Sequence, residues 1–253
     1  MDELIFGIHA VKSALNYCAD VKHGHEQDQA VSLLYVDRAR KDNRINALID
    51  LAKKKSVKVT LITRKKLDEM TSGNHQGVIA QSKAPKVKSE SFLDDLLQTL
   101  DVPPFLLILD GVQDPHNLGA CLRTADAAGV HAIIVPKDRS VSLTPTVRKV
   151  ACGADQSVPL IQVTNLSRTL KLLKSYQVWV VGTAGETQTS LYQSDLRGAL
   201  AIVMGTEGKG MRRLTRENCD SLVTIPMTGH VESLNVSVAT GITLFEALRQ
   251  RNT

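Results

Sequence analysis

Apolar residues along this chain follow two patterns, and the change comes near residue 104. Before it, short apolar runs alternate with amphipathic stretches. Residues 8–17 have helical spacing, and "VSLLYV" (31–36) predicts a strand. "NRINALIDLAKKK" (43–55) places Ile45, Leu48, Ile49 and Ala52 on one stripe and predicts a helix. "VKVTLI" (57–62) predicts a second strand, residues 64–71 a short helix, and "GVIAQS" (77–82) a third strand. Such a module suits an α/β fold around a small sheet.

Beyond residue 104 the apolar runs are continuous: "FLLIL" (105–109), "AIIVP" (132–136), "VPLI" (158–161), "VWVVG" (178–182), "LAIVMG" (200–205) and "LVTIP" (222–226). Unbroken runs of this length suit parallel strands buried on both faces. Helical segments lie between most of them. Ligands of such sheets bind beyond the carboxyl ends of the strands, so the residues after each run are the candidates for chemistry. Between the two patterns, residues 83–104 hold three prolines and a short acidic amphipathic piece around Leu93, Leu96 and Leu97. Residues 1–84 carry 14 basic and 10 acidic side chains, residues 85–103 carry 2 and 4, and residues 104–253 carry 15 and 12. The expected organisation is a first domain over 1–84, a linker over 85–103 and a second domain over 104–253.

Composition narrows the function. The 253 residues carry a net charge of +5, which permits a polyanionic partner. Aromatic residues make up 4%, which argues against a nucleic-acid binder working mainly by base stacking. Cys18, Cys121, Cys152 and Cys219 form no C-x-x-C pair, so buried thiols in a reducing compartment are expected. The amino-terminal stretch has no basic start followed by a continuous apolar run, and no window reaches the length of a membrane span. A cytoplasmic protein is expected.

The strand ends carry the polar candidates. After the first run of the second module, Asp114-Pro115 signals a turn and Asn117 is a candidate cap for a helix over 118–128 that contains Arg123. Taken alone, Arg123 reads as a surface residue. Glycines follow the later runs at Gly182, Gly185, Gly205, Gly208, Gly210 and Gly229. Neither glycine stretch is a nucleotide-binding fingerprint, and a tight turn is the default for each. Together they favour a pocket lined by backbone. His75, His116 and His230 are scattered and show no metal-ligand spacing, and no G-x-S-x-G elbow is present. The closing helix begins oddly, with Val236 and Val238 behind Ser233-Leu234-Asn235, since β-branched residues are mediocre helix formers.

"LDGVQDPHNLGACLRTADAAG", "IVMGTEGKGM" and "IPMTGHVESLNVSVATGI" resemble, in order and spacing, the three successive motifs of the SpoU (TrmH) family of RNA ribose 2′-O-methyltransferases. The first module, with "FGIHAV" and "HQGVIA", resembles the substrate-binding domain of the subgroup that methylates a guanosine in large-subunit (23S) ribosomal RNA. The resemblance implies an S-adenosylmethionine-dependent homodimer. Its second domain would be a SPOUT α/β domain with a parallel sheet and a deep trefoil knot, and its first a small L30e-like α/β domain. The positions matching the family's cofactor site are Thr183, Gly185, Gly205, Ile225, Met227 and Leu234. Arg123 matches the catalytic arginine, and Asn117, Glu207, Ser233 and Asn235 match its polar companions. A guanidinium is effectively always charged, so Arg123 is expected to stabilise a developing alkoxide rather than to act as a base. Asn117 and Asn235 would hold RNA or orient Arg123, and Glu207 would pair with Asn117 or with an RNA donor. The closing helix would pack in the dimer interface. In the first module, Arg38, Arg40, Lys41 and Lys53-Lys54-Lys55 are candidate phosphate contacts. The alternatives are transfer RNA or an rRNA adenosine as substrate, or a non-catalytic rRNA-binding assembly factor.

Overall fold

The computed structural model describes residues 2–16, 18, 31–83 and 86–253. The chain divides into two compact units, Met1–Pro85 and Lys86–Thr253.

The first unit contains β1 (Asp2–Phe6), α1 (Ile8–Asn16), β2 (Val31–Asp37), α2 (Asn43–Lys54), β3 (Lys58–Ile62), α3 (Arg64–Met70) and β4 (Val78–Lys83). Its four-stranded sheet has the order β1-β4-β2-β3. β4 is antiparallel to both its neighbours, and β3 runs parallel to β2. Leu34 and Val36 of β2 and Val78 and Ala80 of β4 share a core with Val11 and Leu15 of α1 and Ile45 and Leu48 of α2. Helix α2 starts where Asp42 accepts a hydrogen bond from the Ile45 amide, and α3 starts where Thr63 accepts from that of Lys66. The strand β1 has no counterpart among the predicted elements. It is five residues long, and only its pairing with β4, more than seventy positions away, makes it a strand. Residue 17, the expected end of the first helix, and residues 84–85, the expected domain boundary, lie outside the described residues.

The second unit contains α4 (Glu90–Thr99), β5 (Phe105–Leu109), α5 (Pro115–Ala127), β6 (Ala132–Pro136), α6 (Pro145–Ala151), α7 (Ala154–Ser157), β7 (Leu160–Val163), α8 (Leu166–Ser175), β8 (Trp179–Thr183), β9 (Leu200–Met204), α9 (Arg213–Glu217), β10 (Ser221–Val223) and α10 (Val236–Arg251). Its six strands are all parallel, in the order β10-β8-β9-β5-β6-β7. Alternation along β5 sends Phe105, Leu107 and Leu109 into one core with α5, α6, α7 and α10. Leu106 and Ile108 enter the other core, with α4 and α8. Both faces of the sheet are covered, which is why its strands read as continuous apolar runs.

Three sequence expectations change here. The run 158–161 is displaced by two residues: Val158 closes α7, and the strand is β7, because Leu160 to Val163 are the residues that pair with β6. The last strand ends at Val223, and Thr224 continues only as an isolated bridge to Ser190. Helix α5 begins at Pro115, with Asp114 as its cap, accepting from the His116 amide. Proline suits a first helical position, so the start moves three residues upstream and places Asn117 within the first turn rather than at the cap.

Residues 86–103 pack into the second unit. Leu93 and Leu97 are buried in the core that α4 shares with α8. The Lys88 amide donates to the Leu160 carbonyl (2.8 Å), and the Lys88 carbonyl accepts from the Gln162 amide (2.9 Å), adding a bridge at the edge of β7. Leu93→Ala should therefore lower unfolding free energy by about 2–5 kcal/mol, read as a lower midpoint in urea. A loose linker would tolerate that change without effect.

Candidate functional site

The carboxyl ends of β8, β9 and β10 open into a cavity of about 690 Å³. Three loops remote from one another in sequence line it: 183–186, 204–211 and 223–234. That convergence is what a trefoil knot in this part of the chain would bring about. All six expected cofactor positions, Thr183, Gly185, Gly205, Ile225, Met227 and Leu234, face the cavity. Glu207 and Ser233 line it too.

Local chemistry explains the wall. The Thr183 hydroxyl donates to the Val203 carbonyl (3.2 Å) and so ties β8 to β9. Gly205 lies against the next turn of its own loop: a Cβ there would stand 2.2 Å from the Gly210 carbonyl carbon, so only glycine fits. Thr206 and Gly210 exchange backbone hydrogen bonds of 3.1 and 2.9 Å, closing that turn. Its far end is fixed by Asp110, a buried carboxylate just beyond β5, which accepts from the Arg212 amide (2.8 Å) and from Arg212 Nε (2.6 Å).

Three of the expected polar residues meet at one oxygen. Glu207 Oε1 accepts from Asn235 Nδ2 (2.6 Å), from the Val236 amide (3.2 Å) and, more weakly, from Asn117 Nδ2 (3.5 Å). Asn235 Nδ2 also donates to Asn117 Oδ1 (3.0 Å). Asn235 caps α10 by accepting from the Ser237 amide (2.9 Å). The carboxylate of Glu207 thus sits at a helix amino-terminus, where negative charge is favoured. This accounts for the odd start of α10: the polar residues hold the cap, while Val236 is buried and Val238 faces outward, 51% exposed.

Arg123 stands further along α5, exposed, with Nη1 3.8 Å from Cys152 Sγ. The side-chain amides of Asn117 and Asn235 donate to Glu207, and that of Asn235 also donates to Asn117, so the structure brings together Asn117, Glu207 and Asn235, while the contact of Arg123 is with Cys152. Cys121, on the buried side of α5, donates to the Thr240 hydroxyl (3.6 Å), and burial pushes its thiol up to about 11. Burial pushes the Cys219 thiol up to about 12. Both are inert at neutral pH. Among the described residues no group of His, Cys, Asp and Glu could hold a metal ion.

One more feature of the cavity was not legible before folding. Arg216 of α9 and Glu186 of the loop after β8 both line it and form an ion pair. They lie thirty positions apart, and Arg216 falls outside all three motif stretches.

The family model described as the SpoU rRNA Methylase family matches residues 104–245. A second model, described as RNA 2′-O ribose methyltransferase substrate binding, matches residues 4–87. The chain is 56% identical over 254 residues to the 23S rRNA (guanosine-2′-O-)-methyltransferase RlmB of Photorhabdus laumondii, covering all of both proteins. It is 58% identical over 250 residues to the RlmB of Shewanella oneidensis, covering 98% of each. Among solved structures, the SpoU methyltransferase AviRb of Streptomyces viridochromogenes, in complex with the cofactor AdoMet, has the same fold. The TM-score is 0.72 at 22% identity, covering all of this chain and 91% of that one. With two of its three motif stretches on one cavity and both modules matched, the chain belongs to the SpoU family of rRNA methylases.

Proposed function

We propose that this protein transfers a methyl group from S-adenosylmethionine to the ribose 2′-oxygen of a guanosine in 23S ribosomal RNA. Near-complete coverage of relatives named for that reaction supports the substrate. The observation that carries the chemistry is the cavity at the carboxyl ends of β8, β9 and β10, with the Glu207–Asn117–Asn235 cluster at its edge.

The residues present fit the cofactor. A cavity of about 690 Å³ is of small-molecule size. At Gly185 a Cβ would meet nothing within 4 Å, so open space lies against bare backbone. Backbone amides and carbonyls of the three loops can read a purine edge, and the wall's three carboxylates, Glu186, Glu207 and Glu232, outnumber its two cations, Lys209 and Arg216, by one. Bound there, S-adenosylmethionine supplies an electrophilic methyl on a sulfonium. Thr183, Gly185, Gly205, Ile225, Met227 and Leu234 are its proposed holders.

Arg123 carries a permanent charge in solvent reach. Its proposed role is to stabilise negative charge growing on the 2′-oxygen while the proton leaves to water, and to grip a neighbouring phosphate through its fork. Glu207 and Asn235 fix the start of α10 against the cavity wall, and Ser233 and Asn117 face the incoming ribose. The preference for this reading over a non-catalytic assembly factor rests on an intact cluster beside a cofactor-sized cavity.

A homodimer is part of the proposal. Val238 and Phe245 lie two turns apart on α10 and are 51% and 48% exposed. A second copy would cover that stripe and remove it from water.

Two outcomes test these roles. Arg123→Ala should lower single-turnover methyl transfer to 23S rRNA by about 10²–10³ while leaving cofactor affinity unchanged by calorimetry. Arg123→Lys should stay well below wild type, and wild-type turnover in Lys would refute the forked contact. For the assembly, Phe245→Glu should convert a dimer to a monomer in sedimentation, whereas a wild-type monomer would remove the dimer from the account.

A further inference from the structure

One end of the first unit's sheet gathers features that the methyl-transfer site does not use. β1 ends there at Phe6 and β2 at Asp37, and β4 starts between them at Val78. Two strand spacings, roughly 10 Å, therefore separate Phe6 from Asp37. Ile5 packs on the core under α1 and α2, so its neighbour Phe6 points to the opposite face of the sheet. The Phe6 side chain is a large apolar group left 39% exposed.

The ring is seated. A Cβ at Gly73 would stand 2.2 Å from ring carbon Cε2 of Phe6, so the ring lies directly on that glycine. Arg40 is seated in the same way on Gly77, where a Cβ would stand 2.7 Å from Arg40 Cδ. The Arg40 guanidinium donates to the Gln76 carbonyl (2.5 Å) and to Asp42 (2.8 Å from Nε). The loop that carries both seats is braced at each step. His75 Nδ1 accepts from the Gly77 amide (2.9 Å), which leaves the proton on Nε2 to reach Asp68 (2.8 Å). Gln76 Oε1 accepts from the Ile8 amide (3.0 Å), and the Gly77 carbonyl accepts from the Asp37 amide (2.9 Å). A stiff loop thus presents a flat ring and a fixed guanidinium.

Charge tells what the ring faces. Arg38, Arg40 and Lys41 follow β2, and Arg64, Lys65 and Lys66 follow β3 at the same end, because β2 and β3 run parallel. Asp37, Asp42, Asp68 and Glu69 offset only part of that charge, four acids against six cations. Lys53, Lys54 and Lys55 close α2 and lead into the start of β3, at the opposite end. A flat ring with a cationic fringe is complementary to a nucleobase with its phosphates, since every base has a π-face.

We infer that Phe6 is a stacking platform for one unpaired base of the RNA substrate, with Arg40 and its basic neighbours holding the flanking phosphates. The inference rests on the proposed RNA substrate and deepens it. It assigns recognition to a loop or bulge with a splayed base, since bases stacked inside a duplex cannot reach the ring.

The test uses the full chain and a hairpin RNA with 2-aminopurine in its single-stranded loop, beside a continuous duplex of the same length. Wild type should prefer the hairpin and quench the fluorescent base. Phe6→Leu should weaken hairpin binding roughly tenfold or more and lose the quenching, and Phe6→Trp should restore both. Gly73→Ala keeps the ring but displaces it, and should match Phe6→Leu. In all variants thermal unfolding, cofactor binding and duplex affinity should stay at wild-type values. Wild-type hairpin affinity and quenching in both Phe6→Leu and Gly73→Ala would overturn the platform. A changed oligomeric state with unchanged RNA binding would assign the ring to a protein contact and overturn it equally. Stacking by a protein that methylates no rRNA would instead refute the substrate and leave the platform standing.

Discussion

Glu207 Oε1 accepts hydrogen bonds from Asn117, Asn235 and the Val236 amide, and through them one carboxylate ties together the loop after β9, the first turn of α5 and the start of α10. These three pieces meet at that carboxylate. The loop walls the cavity, α5 carries Arg123, and α10 offers the stripe of Val238 and Phe245. The arrangement is anchored a second time where Asp110 holds Arg212 at the end of the same loop. A carboxylate at a helix amino-terminus is favourable by itself, so the clamp draws on the dipole of α10 as well as on hydrogen bonds.

Much of this was legible in the sequence, for physical reasons. Strands buried on both faces leave no alternative to continuous apolar runs, so β5 and β6 were readable to the residue and β8 and β9 to within one. The motif loops were readable because a backbone-lined pocket needs glycines and small polar residues at strand ends. What failed depended on remote partners. β1 is a strand only because β4 lies beside it, and α4 is core only because α8 and β7 receive Leu93 and Leu97. The start of α5 was misplaced because Asn117, a good cap by type, spends its side chain on Glu207 and Asn235, while Asp114-Pro115 starts the helix. The seat of Phe6 on Gly73 was not legible either, since the two residues meet only in the fold.

The two units divide the task by chemistry. The second concentrates buried strands and a cavity, which suits a reaction needing orientation more than acid–base work. The first concentrates surface cations and an exposed ring on a small sheet, which suits gripping a folded polyanion.

The most direct measurement is transfer of labelled methyl from S-adenosylmethionine to 23S rRNA that lacks its own ribose methylations, with the label mapped by resistance to alkaline cleavage. A single resistant guanosine is the predicted result. Label confined to transfer RNA or to an adenosine, or no label on rRNA despite tight cofactor binding, would contradict the account.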